Sequence, residues 1–354
     1  MKRRRPNSIT GFSLVELLIG LSVGLVVVGA AVDLFRKGLE ATFLISQRAE
    51  MQQSVRAAVG LLSRDISLAG AGIPTGGIQL PSGNGSTASF FGCDGTQCYV
   101  PNNAYPNNHL FSIIPGAAGG PTTVASGGPS DTITMAYVDT TFPLNLYTVV
   151  LNSGTLATAT PPAAPPVPPI TDPGLGLKVG DLIMFSNNTG FAVGELTGVT
   201  PAGALTFANL DPLKINQSGA ASGNISAILG GAAPTAYRIW VVTYFVQMTA
   251  GLDGVPGTAD DIPRLMRQVN AQPPVPVAEN IFNLQVTYDT YDDAAGVSSN
   301  LKDVMATGQS LNQIRKVNLS VTARSAWGGG KRYQAIDLAT SVSARNMSFR
   351  DRYQ

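Results

Sequence analysis

Three groups of residues in this 354-residue chain have the types and spacing for chemistry. Glu16 is the only charged side chain in the 21 residues from Phe12 to Val32, which are otherwise apolar or small. A lone carboxylate inside a membrane segment costs at least about 2.5 kcal/mol, so it calls for a cationic partner. Asp253, Asp260 and Asp261 stand in the turn-rich stretch Gly251-Leu252-Asp253-Gly254-Val255-Pro256-Gly257-Thr258-Ala259-Asp260-Asp261. Carboxylates with glycines that turn backbone carbonyls inward suit a hard cation, which makes this a candidate calcium loop. The spacing falls short of a full EF-hand, and a solvated acidic turn between strands is the other reading. Cys93 and Cys98 form a Cys-x4-Cys pair, and His109 is the sole histidine. So few soft ligands leave zinc-finger, haem and His-based triad chemistry with nothing to work with. No local motif marks a nucleophile or an acid/base pair, so the chain reads as a non-enzyme that requires no cofactor.

The elements that hold these residues begin with a membrane address. Leu17 to Val32 is 16 residues without a charge, and the 21 residues from Phe12 reach roughly 31 Å as a helix, the thickness of a bilayer core. Lys2, Arg3, Arg4 and Arg5 precede the run and would keep the N-terminus cytoplasmic, exporting everything after it. A secretory signal would place its small residue after the apolar run. Here Gly11 stands before it. Gly20 and Gly24 offer a small-xxx-small face for helix packing.

The stretch Gly11-Phe12-Ser13-Leu14-Val15-Glu16 closely resembles the class III signal of type IV prepilins and type II secretion pseudopilins. The resemblance implies that a prepilin peptidase cuts after Gly11 and that Phe12 becomes the N-methylated first mature residue. It further implies that Glu16 neutralises an amino terminus, its own or a neighbour's, when subunits pack into a filament, which would answer the cost of burying a charge. Calcium loops also occur in pseudopilins, so the family is compatible with the acidic turn as a site.

Past Asp33 the pattern becomes amphipathic. Val55, Val59, Leu62 and Ile66 recur at helical spacing, with Arg48, Glu50, Arg56, Arg64 and Asp65 assigned to other faces. One helix is expected to run to about Leu68 and to stop at Gly70, Gly72 and Pro74. From Thr75 to Ser130 the composition of Gly, Pro, Ser, Asn and Thr predicts long loops. Cys93 and Cys98 fall inside that region, where an oxidising compartment favours a local disulfide over free thiols. Strands are expected at Asp131 to Val138, at Lys178 to Ser186 and Phe191 to Thr197 around Asn187-Asn188-Thr189-Gly190, and along the apolar run Tyr237 to Gln247. Pro161 to Pro169 reads as a stiff spacer. Alternating Phe282, Leu284, Val286 and Tyr288, then Val317, Leu319 and Val321, then Ile336, Leu338, Thr340 and Val342 predict an antiparallel meander packed on the helix.

This order, with Ile314 to Arg324 and a last strand ending Val342-Ser343-Ala344-Arg345-Asn346, looks like the PilW group of minor type IV pilins and is similar to the large minor pseudopilin of the J type. The expected architecture is α+β and type IV pilin-like. Residues 1–11 would be a leader, 12–35 a transmembrane and filament-core segment, 36–70 its amphipathic continuation, and 71–354 an exported β-rich domain with Gly/Pro-rich insertions. The function implied is a minor pilin that is held in the bacterial inner membrane and then enters a cell-surface pilus. Its implied partners are prepilin peptidase, other major and minor pilins, an inner-membrane assembly platform and, before assembly, the lipid bilayer. Alternatives are a minor pseudopilin of a type II secretion system and a ligand-binding adhesin at a pilus tip. Nucleic acid is not an expected partner. Beyond the first five residues the chain holds 19 basic against 22 acidic side chains, and phosphate binding needs a basic patch.

Overall fold

Ser13 opens a 55-residue helix, α1, spanning Leu14–Leu68. Its hydroxyl accepts the Glu16 N–H at 3.2 Å, satisfying one of the orphan donors at the helix start. No proline interrupts the helix. It ends where Gly70 and Gly72 take φ of 83° and 76°, left-handed values that cost a side-chain-bearing residue energy. At Gly72 space adds a second requirement, since a Cβ there would lie 2.5 Å from a methyl of Val138. The computed structural model describes residues 11, 13–81, 109–116, 129–216, 224–231, 233–251, 253–255, 258, 261–292, 294–302, 310–325 and 334–348.

The chain divides into two compact units, one ending at Glu50 and one beginning at Met51, so the boundary falls within α1. In the first unit the helix carries no charge on any side from Leu17 to Val32, and Leu17, Leu18, Ile19 and Val26 are exposed. This segment is long and apolar enough to cross a membrane. In the second unit the helix is one-sided. Met51, Val55, Ala58, Leu62, Ile66 and Ala69 are buried, the i, i+4, i+7 spacing of a core-facing stripe. Val59 is only half-buried, because the stripe is centred slightly to the Ala58 side. Asp65 departs from the expected solvent face and is 3% exposed, at the edge of the stripe.

Strands are numbered in chain order. A nine-stranded sheet contains β1 Ile78–Gln79, β2 His109–Leu110, β3 Ile113–Gly116, β4 Thr132–Val138, β7 Leu182–Ser186, β8 Phe191–Glu195, β11 Thr235–Thr249, β12 Ile262–Val269 and β13 Val275–Glu279. Its main path runs β13-β12-β11-β7-β8-β1-β2, with β4 on β11 and β3 on β4. The 15-residue β11 organises it, pairing antiparallel with β7 over Thr235–Ile239, with β4 over Ile239–Tyr244 and with β12 over Val242–Thr249. Four short strands, β5 Thr148–Leu151, β6 Leu156–Thr160, β9 Gly198–Val199 and β10 Ala204–Thr206, form a second sheet. The third is antiparallel, in the order β15-β14-β16-β17, built of β14 Ile281–Asp292, β15 Val297–Lys302, β16 Ile314–Arg324 and β17 Ala335–Ser343. The three alternating runs of the C-terminal third thus lie on β14, β16 and β17, as their period of two requires.

The helical stripe, the nine-stranded sheet and the β14 to β17 sheet share one core. A second core lies around Phe142, Phe185, Phe207 and Ile225, where the rings of Phe185 and Phe207 meet edge to face at 5.4 Å between centroids. The chain is α+β, a long apolar N-terminal helix followed by a mostly β domain. Two expectations change. The region from Thr75 to Ser130 contains β1, β2 and β3 within its described part, so His109 is on a strand and half-buried rather than in a loop. Pairing with β8 and β4 supplies the backbone partners that composition gave no sign of.

Candidate functional site

At the N-terminus Gly11 is exposed, and none of the described residues comes within 4 Å of where a side chain would project. Glu16 occupies the third position of α1, four residues after Phe12, whose own structure lies outside the described residues. Ser13 and Glu16 form the Ser-x-x-Glu spacing of a capping box, a signal present in the sequence beside the prepilin-like one. An acid in the first turn also faces the positive end of the helix dipole. Position therefore gives Glu16 a favourable electrostatic setting at the helix N-terminus.

Cys93, Cys98 and Asp260 lie outside the described residues. In the acidic turn Asp253 is exposed, and its Oδ1 accepts the Val255 N–H at 2.8 Å. Asp261 is buried, and its Oδ1 accepts from the Gly251 N–H at 3.3 Å and the Thr258 hydroxyl at 3.4 Å. These bonds close the β11–β12 connection. Among the described residues no group of three or more His, Cys, Asp or Glu side chains is arranged to hold a metal.

The richest polar chemistry lies where α1 meets β4, β11 and β12, and the sequence reading did not find it. Buried Asp65 accepts from the Tyr244 hydroxyl at 2.8 Å, the Tyr137 hydroxyl at 3.3 Å and the Arg267 Nε at 2.8 Å. Burial, with the Asp65 charge adding to it, pushes the Tyr137 phenol up to about 12 and the Tyr244 phenol higher still. Both remain donors. Asp65 is thereby a carboxylate with three donors, the condition under which a buried charge is tolerated.

A second network centres on Arg238, 4% exposed despite standing in the apolar run of β11. Its Nε donates to Asp139 Oδ2 at 2.7 Å, its Nη1 donates to the Gly176 carbonyl at 3.0 Å, and Asp181 lies 3.6 Å away. The guanidinium also stacks 4.7 Å from the centre of the Trp240 ring. Burial raises the Asp139 carboxyl, but hydrogen bonds from Thr141 and Arg238 outweigh it and hold the pKa below the usual value. Burial dominates at Asp181 and raises its pKa, only partly offset by the Lys178 N–H and Arg238.

Between the two networks opens a cleft of about 520 Å³. Arg64, Lys178, Arg238 and Arg267 line it, with Asp181, Trp240 and Tyr137. A third buried acid group lies elsewhere. Glu195, 1% exposed, is raised to about 9 by burial and by hydrogen bonding and repulsion from Asp211. Its Oε2 accepts the Leu213 N–H at 3.0 Å, while Asp211 accepts the Ile215 and Asn216 N–H groups at 2.6 and 2.9 Å. Two carboxyls sharing a proton can do acid/base chemistry. These are instead spent on backbone donors and do not line the cleft, so they fasten the 211–216 loop to β8.

The chain matches no family model, no curated protein and no solved structure.

Proposed function

We propose that the protein is a minor type IV pilin, a structural subunit that assembles into or primes a filament through its N-terminal helix. The observation that carries this reading is the sequence Gly11-Phe12-Ser13-Leu14-Val15-Glu16, which runs into a 55-residue helix that is free of charge from Leu17 to Val32. Prepilin peptidase would cut after Gly11 and methylate Phe12. Exposure of Gly11, with none of the described residues crowding it, favours access by a protease. The apolar segment would then move from bilayer to filament core, two environments of similar polarity. Glu16 would pair with the amino terminus of its own or a neighbouring subunit, setting axial register, while the β domain would supply subunit-specific lateral contacts.

The test separates processing from assembly. Gly11→Leu should leave the precursor uncut, seen as an unshifted band on a denaturing gel. Glu16→Ala should be cut normally but recovered at a much lower level in sheared pili. Normal incorporation of Glu16→Ala would overturn the pairing role, and cleavage of Gly11→Leu would overturn the processing site. Deletion that abolishes protein secretion while sparing twitching would move the protein to a type II secretion pseudopilin.

A further inference from the structure

Among the described residues the C-terminal sheet ends on an open edge. β17 is the outer strand of the order β15-β14-β16-β17 and pairs with β16 alone, continuously from Lys316 with Ser343 to Arg324 with Ala335 and without a bulge. The same register continues past both ends, where the Ala344 N–H donates to the Arg315 carbonyl at 2.9 Å and the Ser325 N–H to the Gln334 carbonyl at 2.8 Å. Bonded pairs alternate along an antiparallel ladder, so the even-numbered residues of β17 are the ones bonded to β16. The N–H and C=O groups of Ala335, Asp337, Ala339, Ser341 and Ser343 therefore point away from β16, and all five residues are exposed.

Natural sheets blunt such edges with short strands, prolines, lysines and bulges. The other outer strands described here carry those devices. β13 holds Pro276 and a shifted register, β3 holds Pro115, and β15 has a shifted register and ends at Lys302. β2 and β9 are two residues long and β5 four. β17 has none of these in its nine residues Ala335-Ile336-Asp337-Leu338-Ala339-Thr340-Ser341-Val342-Ser343.

The edge is complementary to a second copy of itself. A two-fold axis through Ala339 sets the outward-bonding residues of two β17 strands against each other over the whole strand. Ala339 then meets Ala339, Asp337 of one copy meets Ser341 of the other, and Ala335 meets Ser343, each a pair that exchanges two hydrogen bonds. Asp337 is the one charged residue of the strand, and this register keeps the two carboxylates apart. An axis through Asp337 would oppose them directly, and an axis through Ser341 would leave Ala335 and Asp337 beyond the end of the facing strand. On the other face Ile336 meets Val342 and Leu338 meets Thr340. Ile336, Leu338 and Val342 pack only partly against the core, and the pairing would cover more of their apolar surface.

We infer that β17 is a self-association edge, at which two copies of this chain join antiparallel about Ala339 into one continuous sheet. The edge lies wholly in the unit that begins at Met51 and does not depend on the filament reading.

The test uses the full-length chain in density-matched detergent, by analytical ultracentrifugation and by disulfide trapping. Pairing along one strand buries little area and belongs to the weak class of interfaces, so a reversible monomer–dimer equilibrium is expected with a Kd of about 100 μM or tighter. Ala339→Lys places like charges opposite each other at the axis and should weaken it at least about tenfold while leaving the circular dichroism spectrum unchanged. Ala339→Cys should be trapped as a covalent dimer under mild oxidation, because Cα atoms in a bonded pair stand about 5.5 Å apart, within disulfide reach. Ala335→Cys would stand about 26 Å from its counterpart and should give no covalent dimer beyond what Cys93 and Cys98 give in the wild type. A monomer at about 1 mM, ten times that Kd, would overturn the proposal, as would equal trapping at positions 335 and 339. A dimer that survives Ala339→Lys would overturn it too and assign association to another surface, such as the apolar part of α1. If Ala339→Lys loses its fold, the trapping contrast between positions 339 and 335 decides, and absence of a covalent Ala339→Cys dimer counts against the edge.

Discussion

Of the seven acids buried among the described residues, three show at the scale of single residues how differently burial can act on a carboxyl. Asp65 is engaged by three donors, and hydrogen bonds from Thr141 and Arg238 hold the Asp139 carboxyl below its usual range. Glu195 does the opposite, because burial and Asp211 raise its carboxyl from 4.5 to about 9. The unfolded chain then releases the Glu195 proton at a lower pH than the folded chain does, and stability falls wherever the unfolded state binds fewer protons. The contribution is fully present below about 4.5 and is lost as pH rises towards about 9. Urea midpoints of the wild type should therefore decline across that window. Glu195→Gln keeps the acceptor for the Leu213 N–H and cannot ionise, so it should flatten the decline. An identical slope in the variant would remove Glu195 as its cause.

At the scale of elements, the end of α1 is held by the far end of the chain. The Asn346 amide donates to the carbonyls of Ser67, Leu68 and Ala69 at 3.1, 3.3 and 3.2 Å, a cap for groups the helix leaves open. The last turn has no basic residue to do the same. Gly70 and Val138 then tie the turn to the sheet, through bonds to Ala136 and Ala71 of 2.9 and 2.8 Å. Asn346→Ala should cost about 1 kcal/mol of stability, read as a lowered urea midpoint at constant m-value. Asn346→Asp offers no amide donor and should do no better. A midpoint unchanged by Asn346→Ala would show that water caps the helix equally well. The sequence placed Asn346 at the end of the last strand, but β17 stops at Ser343 and Asn346 lies in the short helix Arg345–Ser348, and its bond to a residue 279 positions away had no local signature.

At the scale of the whole molecule, the first 50 residues and the rest are separate units, and the buried apolar residues of α1 start at Met51. Removing residues 1–36 should shift the protein from the membrane fraction to the soluble fraction on carbonate extraction, with Tm unchanged. A large drop in Tm would mean that the core draws on the first unit. Cleavage after Gly11 would also remove four of the 23 basic side chains against 22 acidic ones, leaving a mature side-chain charge of −3. The basic excess would then belong to topology and processing alone. The sequence by itself determined what depends on neighbours along the chain. It set the apolar span by length, the extent of α1 by its glycine stop, and the strands β14, β16 and β17 by their period of two. Tertiary structure alone decided the fate of the isolated charges. Asp65 read as a surface residue one position before the core-facing Ile66, and Arg238 stood unmarked inside the apolar run Tyr237 to Gln247. Each is buried because residues 57 to 202 positions away in sequence supply the opposite charge and the hydrogen bonds that make burial tolerable. Helical and strand periods carry no information about such distant partners, so the polar networks and the cleft between them emerge only when α1, β4, β11 and β12 are packed together.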